Sequence, residues 1–392
     1  MATLREGPRP GGPPRAPAAV SAGTDADRAN EAPSAPVRPP AAVLEPLLHA
    51  AAIPGVGPAS LRRAIEGADD PAAGLRQLIR DAESTLTAPE VERVRGWVAR
   101  ILETVRAQRH HVLVPGLTGY PEPLTHLEDA PYPLYARGRL ALLDTPTVAI
   151  VGTRSMTSYG RDTAHRLARG LAAAGATVVS GLARGVDGVA HRAAGPGRTV
   201  GVVGCGLDVA YPTAHAELQE AIGRDGLLLG ELLPGTPPAR HAFPRRNRII
   251  AAVSDVVIVV EAPHGSGALS TAARARDQGG TVLAVPGPIG SRVSEGTNAL
   301  IRDGATLVTS AREVAKLLGL PEPSAAEERD VPPPELEGQA LALWRALDAE
   351  PRHAEDIAAR AGLDPRRGLA SLLSLELQGH ARQLPGLRFV RG

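Results

Sequence analysis

The feature that most restricts the fold is a series of short, unbroken apolar runs that begins at Thr147. The runs are Thr147–Val151, Thr177–Ser180, Thr199–Val203, Leu227–Leu229, Val256–Glu261 and Thr281–Val285. Segments with helical spacing lie between them, at Arg161–Ala174, Val186–Ala194 and Ala268–Gln278. A strand that is apolar on both faces must be covered on both faces, and helices placed between strands supply that cover. Right-handed crossovers then generate parallel pairing. The expected fold class is therefore α/β, with a Rossmann-like doubly wound, mostly parallel sheet.

The flanks have a different texture. Residues 1–40 are Pro, Ala, Gly and Arg with few large apolar side chains, too few to offset their ordering entropy, so a disordered tail is expected. Residues 41–110 repeat apolar positions at helix spacing (Leu44, Leu47, Leu48, then Val91, Val94, Val98, Ile101) and are expected to form a small helical module, of either the helix-hairpin-helix or the sterile-alpha-motif-like kind. Within it, Ile53-Pro54-Gly55-Val56-Gly57-Pro58 fits either a helix-hairpin-helix turn that approaches a DNA phosphate or a plain tight turn. Residues 111–318 form the Rossmann-like domain with its lead-in, and 319–335 a Pro-rich, charged linker. In residues 336–392, three helices precede two short strands, Ala381–Leu384 and Arg388–Arg391, around Pro385-Gly386. That order predicts a winged helix.

Acidic and basic residues nearly cancel, 42 against 43, which excludes a polycationic coat but not local basic sites. Lys316 is the only lysine, and arginine suits bidentate phosphate contact. The single Cys205 excludes an internal disulfide framework and a Cys-based zinc site, in keeping with a cytoplasmic home. The apolar runs are too short to span a membrane, and Arg5, Arg9 and Arg15 are not followed by the apolar stretch of a secretory signal. Aromatic residues are 2% of the chain, so any base stacking must rest on one or two side chains.

In open parallel sheets, ligands gather beyond the C-terminal ends of the strands. The loop after the first run is Gly152-Thr153-Arg154-Ser155, where a guanidinium stands in place of the second glycine of a dinucleotide turn. The second loop, Ser180-Gly181-Leu182-Ala183-Arg184-Gly185-Val186-Asp187, can aim several N–H groups at one anion, with Arg184 supplying charge. A third signal is Phe243-Pro244-Arg245-Arg246-Asn247-Arg248, which combines phosphate contacts, an amide and a stacking ring. Gly265-Ser266-Gly267 and Gly296-Thr297-Asn298 complete the set. No nucleophile elbow, metal-spaced cluster or Walker lysine accompanies these loops, so neither catalytic residues nor a metal or other cofactor is expected.

The strings VAIVGTR, SGLARGVDGVAH, GCGLDVAYP, FPRRNRIIA, VVIVVEA, GSGALSTA, AVPG and EGTNALIRDGA occur in this order, after the lead-in YPEPLTHLEDAPYPLYARG. Together they resemble the DNA-processing protein A (DprA/Smf) family. The resemblance implies a single-stranded DNA binder that protects incoming strands and helps load RecA recombinase in natural transformation. It also implies a homodimer formed through the Rossmann-like domain. Carried over by position, the implied DNA pocket takes Gly152, Thr153 and Arg154, then Ser180, Gly181, Ala183, Arg184, Gly185 and Asp187. The strip Phe243, Arg245, Arg246, Asn247 and Arg248 follows, then Gly265, Ser266 and Gly267, and last Gly296, Thr297 and Asn298. One departure stands out: the family often has Arg-Ser-Gly-Ser-Leu where this chain has Gly265-Ser266-Gly267-Ala268-Leu269. The competing expectation is a nucleotide-processing enzyme of the phosphoribohydrolase kind, against which the missing glutamate of its Gly-rich loop counts.

Overall fold

Four helices lead the chain: Ala41–Ala52 (α1), Pro58–Glu66 (α2), Pro71–Glu83 (α3) and Ala88–Ala107 (α4). Three of them carry proline in the first turn, where the missing N–H has no helical partner to lose. Asp70 caps α3 by accepting from Ala72 N and Ala73 N. The computed structural model describes residues 36–323, 336–348 and 351–391. The expected disordered tail lies outside these except for residues 36–40, and those are anchored. Val37 N donates to His111 Nδ1, and the Arg38 guanidinium donates to the carbonyls of Val105 and His110. Most of the expected linker also lies outside the described residues.

The α/β region runs His111–Leu113 (β1), Glu122–Thr125 (α5), Leu134–Gly138 (β2), Thr147–Val151 (β3), Ser158–Ala173 (α6), Thr177–Ser180 (β4) and Val186–Ala194 (α7). It continues with Thr199–Val202 (β5), Ala216–Asp225 (α8), Leu227–Gly230 (β6), Ala242–Ala252 (α9), Val256–Val259 (β7) and Gly267–Asp277 (α10). Thr281–Ala284 (β8), Glu295–Arg302 (α11), Thr306–Leu307 (β9) and Ala311–Leu317 (α12) complete it. The strands form one sheet in the order β1-β2-β6-β5-β4-β3-β7-β8-β9. From β6 to β9 every pairing is parallel, so all six apolar runs are strands of the expected kind. From β3 the chain winds outward through β4, β5 and β6, then returns to place β7 on the other side of β3. The β3–β7 junction is thus the switch point where this architecture leaves a crevice.

Three features were not visible in the apolar pattern. The lead-in forms two antiparallel strands, with Tyr135 opposite Gly230 and Val112 opposite Tyr135. Neither segment is a long apolar run; β2 becomes a strand by pairing with β6, and β1 by pairing with β2. The strand Thr306–Leu307 closes the other edge with both residues exposed. The basic strip after Phe243 is the first half of a helix, α9.

The sheet is packed on both sides. Leu113, Val151, Val179, Val202, Ile250 and Ala272 belong to one core, and Val148, Ile150, Leu167, Leu171, Val186 and Val314 to the other. A third cluster joins the N-terminal helices (Leu47, Leu61, Leu75, Ile101) to Tyr132, Tyr135, Leu182 and Leu228. The helical module and the sheet therefore share one core and belong to one compact unit, within residues 1–328.

The second unit lies within residues 329–392. It consists of Gly338–Ala346 (α13), Arg352–His353 (β10), Ala354–Arg360 (α14), Pro365–Leu377 (α15), Ala381–Leu384 (β11) and Arg388–Arg391 (β12). Its strands pair in the order β10-β12-β11 around Leu343, Trp344, Ile357, Leu372 and Phe389. This is a winged helix with the expected two-strand wing and one further short strand, β10.

Candidate nucleic-acid interface

The loop after β3 is pinned at both ends. Thr153 N donates to the Glu261 carbonyl at 2.7 Å, and Thr157 N donates to the Glu261 carboxylate at 2.9 Å. Between these anchors, Arg154 projects into solvent with its guanidinium 5.6 Å from the centre of the Phe243 ring. The ring of Tyr211 lies 5.2 Å from that of Phe243, tilted by 32°. Phe243 is half-buried and rests on the backbone at Gly204, where an added methyl would come within 3.0 Å of its Cδ1. Of these two aromatic residues, the sequence pattern marks only Phe243 as a stacking candidate. The signal for Tyr211 was its place in GCGLDVAYP, a loop that the fold carries round to the same ring.

Phe243 precedes proline, which biases a residue toward extended backbone. The structure instead places it in the first turn of α9. Pro244 is the third residue there, and its missing N–H would have had no partner in the helix. Arg245 is exposed and shares Glu231 with Arg248. In the loop after β4, Arg184 is exposed and has no partner among the described residues. Its neighbour Gly185 abuts the Arg154 backbone, where a Cβ would come within 2.7 Å of the Arg154 Cα. Arg154 thus lies over the aromatic pair, while Arg184 and Arg245 are exposed on the segments that follow β4 and β6.

Several of the expected contact residues turn inward instead, which corrects the expectation for their side chains. Arg246 is buried beneath the Gly-rich loop and donates to the carbonyls of Gly181 and Val202. Arg248 is 1% exposed, ion-paired at 2.8 Å to Glu231 and at 2.9 Å to Asp129. The cause is that α9 is covered on all sides from Arg246 to Ala251, so these consecutive side chains point in different directions and each meets another part of the protein. Asn247 donates to Gly267 O and ties α9 to the Gly265–Gly267 loop. Ser180 Oγ donates to Ile150 O, and Thr153 Oγ1 accepts from Ser155 N. Thr297 is buried, and a methyl on Gly296 would meet Ala262 O at 2.5 Å. Asn298 exchanges two hydrogen bonds with the Gly287 backbone. Ser266 caps α10 through Ala268 N. Gly265 and Gly267 face open space, and Gly265 has φ of 74°.

The carboxylates at this end are committed to internal donors. Asp187 is buried and accepts from Gly181 N; desolvation raises its pKa against the pull of nearby Arg246 and the loop N–H groups. Glu231 serves Arg245 and Arg248, and Glu261 serves Thr157. The peptide of Leu182, at φ 56°, is held from both sides. His191 Nε2 accepts its N–H, and His215 Nδ1 donates to its carbonyl. Among the described residues there is no group of three or more His, Cys, Asp or Glu that could hold a metal, and no helix long and apolar enough to cross a membrane.

The sequence matches the family model for DNA recombination-mediator protein A over residues 111–319, and that for the DprA winged helix domain over 327–386. It is similar to DNA processing protein DprA of Streptococcus pneumoniae, at 45% identity over 50% of this chain and 70% of that protein. It is also similar to protein Smf of Escherichia coli, at 36% identity over 78% of this chain and 84% of that protein. The X-ray structure of DprA from Streptococcus pneumoniae superposes with a TM-score of 0.58 at 32% identity, covering 70% of this chain and 97% of that one. With this fold, this winged helix and these relatives, the chain belongs to the DNA recombination-mediator protein A (DprA/Smf) family.

Proposed function

We propose that this protein binds single-stranded DNA across the C-terminal ends of β3, β4 and β5, protects it, and passes it to a RecA recombinase during transformation. The observation that carries this reading is the group of Arg154, Phe243 and Tyr211, with Arg184 and Arg245 exposed on the segments that follow β4 and β6. An aromatic face with guanidiniums beside it suits an unstacked base and its flanking phosphates, which a duplex does not present. The recombination-mediator description of the family supports the RecA step. The exposed edge strand Thr306–Leu307, with Leu307 and Leu317 uncovered, supports a homodimer through this domain. A cytoplasmic location fits these partners. A phosphoribohydrolase-type enzyme gains no support here, because Asp187, Glu231 and Glu261 are engaged with internal donors.

The test is binding of single-stranded and duplex oligonucleotides across a salt series. Tighter binding to the single strand is expected, with log affinity falling against log salt at a slope of about −2 to −3 if three to four phosphates are neutralised. Equal or tighter duplex binding would reject the reading.

A further inference from the structure

Glu261 follows β7, and Val260 N still extends the ladder by donating to Val151 O. The Glu261 side chain lies at the switch point and is 2% exposed. A carboxylate taken out of water needs compensation. Among the described residues no cation pairs with it. Instead, Thr157 N and Thr157 Oγ1 donate to it at 2.9 and 2.5 Å, and Thr157 Oγ1 in turn accepts from Gly160 N. Thr157 is the N-cap of α6, so the carboxylate is seated against the positive end of a 16-residue helix. The first turn of that helix leaves room for it: a methyl on Gly160 would lie 2.2 Å from Glu261 Oε2.

In dinucleotide-binding members of this architecture, the helix after the first central strand points its N-terminus at the ligand's pyrophosphate. We propose that the Glu261 carboxylate is a built-in anion that fills that position and thereby holds the Thr153–Thr157 loop in the shape that presents Arg154 to DNA. The same residue grips both ends of the loop, through its carbonyl at Thr153 and its carboxylate at Thr157. Only Arg154, Ser155 and Met156 lie between the two grips, so the placement of Arg154 over Phe243 follows from Glu261. Glu261 is a positioning residue, and the inference rests on the single-stranded DNA reading. It also accounts for the fold's failure to offer a nucleotide phosphate seat at this helix.

The test is chemical rescue of Glu261→Ala. In the full chain, this variant should lose about tenfold in affinity for single-stranded oligothymidylate. Sodium formate or acetate should restore affinity and raise the melting temperature, relative to sodium chloride at the same ionic strength, because a free carboxylate can enter the vacated seat. In an Arg154→Ala background, Glu261→Ala should cause no further loss. Parental affinity in a folded Glu261→Ala variant overturns the positioning role, and equal behaviour in formate and chloride overturns the anion role. If the alanine variant does not fold, Glu261→Asp takes its place; an affinity loss for it that persists in the Arg154→Ala background counts against the proposal. A parent chain that fails to bind single strands would instead overturn the functional reading, while formate-specific stabilisation would still test the anion seat.

Discussion

Arg154, Arg246 and Arg248 carry the same side chain into three different environments. Arg154 stands in solvent over an aromatic face, Arg246 is a strut under a glycine loop, and Arg248 is half of a buried ion pair. Their substitutions should therefore separate cleanly. Arg154→Ala is expected to cost about 1.5–3 kcal/mol of single-strand affinity, since charge-assisted contacts are worth that much, with an unchanged melting temperature. Arg248→Ala is expected to do the reverse. It leaves Glu231 without its buried partner and should cost about 3–5 kcal/mol of stability, read by denaturant unfolding, with affinity retained in the folded fraction. Phe243→Ala removes the platform itself and should cost about 1–3 kcal/mol of oligothymidylate affinity. Undiminished affinity in that variant would leave a purely phosphate-directed surface. Sequence marked Phe243 and the arginines as a group. It could not say which arginine faces out, because that depends on the phase of α9 against the sheet.

At the scale of elements, the loop after β4 looks from sequence like an anion cradle and the start of α6 is a helix N-terminus at the switch point, and both are filled by the protein itself. Asp187 takes the N–H groups of the Ser180–Gly185 turn, and Glu261 takes the start of α6. The first of these loops is also held by the two histidines on the Leu182 peptide. Burial keeps His191 neutral, with its pKa lowered from 6.5 to about 3, and His110 in the lead-in is lowered to about 4 by burial and nearby arginines. Below the imidazole pKa of the unfolded chain, the unfolded state binds protons that the native state does not. Stability should then be complete above about pH 6.5 and fall as the pH drops toward 3, by up to about 1.4 kcal/mol per pH unit for each histidine. Melting temperature measured between about pH 7 and pH 5 checks the sign. His191→Gln should flatten the slope, and a pH-independent melting curve for the parent would contradict the account.

For the whole molecule, the sheet order places every candidate contact residue on one unit. The winged helix has its own core of Leu343, Trp344, Ile357 and Phe389. A chain ending at Pro323 keeps all of those residues and should keep its fold and its single-strand affinity to within about twofold. Fluorescence anisotropy on both chains measures this. A large loss would assign DNA contacts to the winged helix, whose Arg366, Arg367, Arg382 and Arg388 are exposed.

The amino-acid sequence by itself determined the parallel core, because a four- or five-residue run apolar on both faces has few places to go except between two helical layers. It also determined the wing, through Pro385-Gly386 between two short runs, and it named the loops that meet at the strand ends. The antiparallel edge, the inward turn of Arg246 and Arg248, and the meeting of Tyr211 with Phe243 were decided by tertiary structure alone. So was the seating of Glu261 against Thr157, 104 positions away in the chain. Each of these depends on which strands become neighbours and on how a helix is rotated against them. Local sequence carries the periodicity of an element, but its phase against the rest of the protein is fixed only when the core closes.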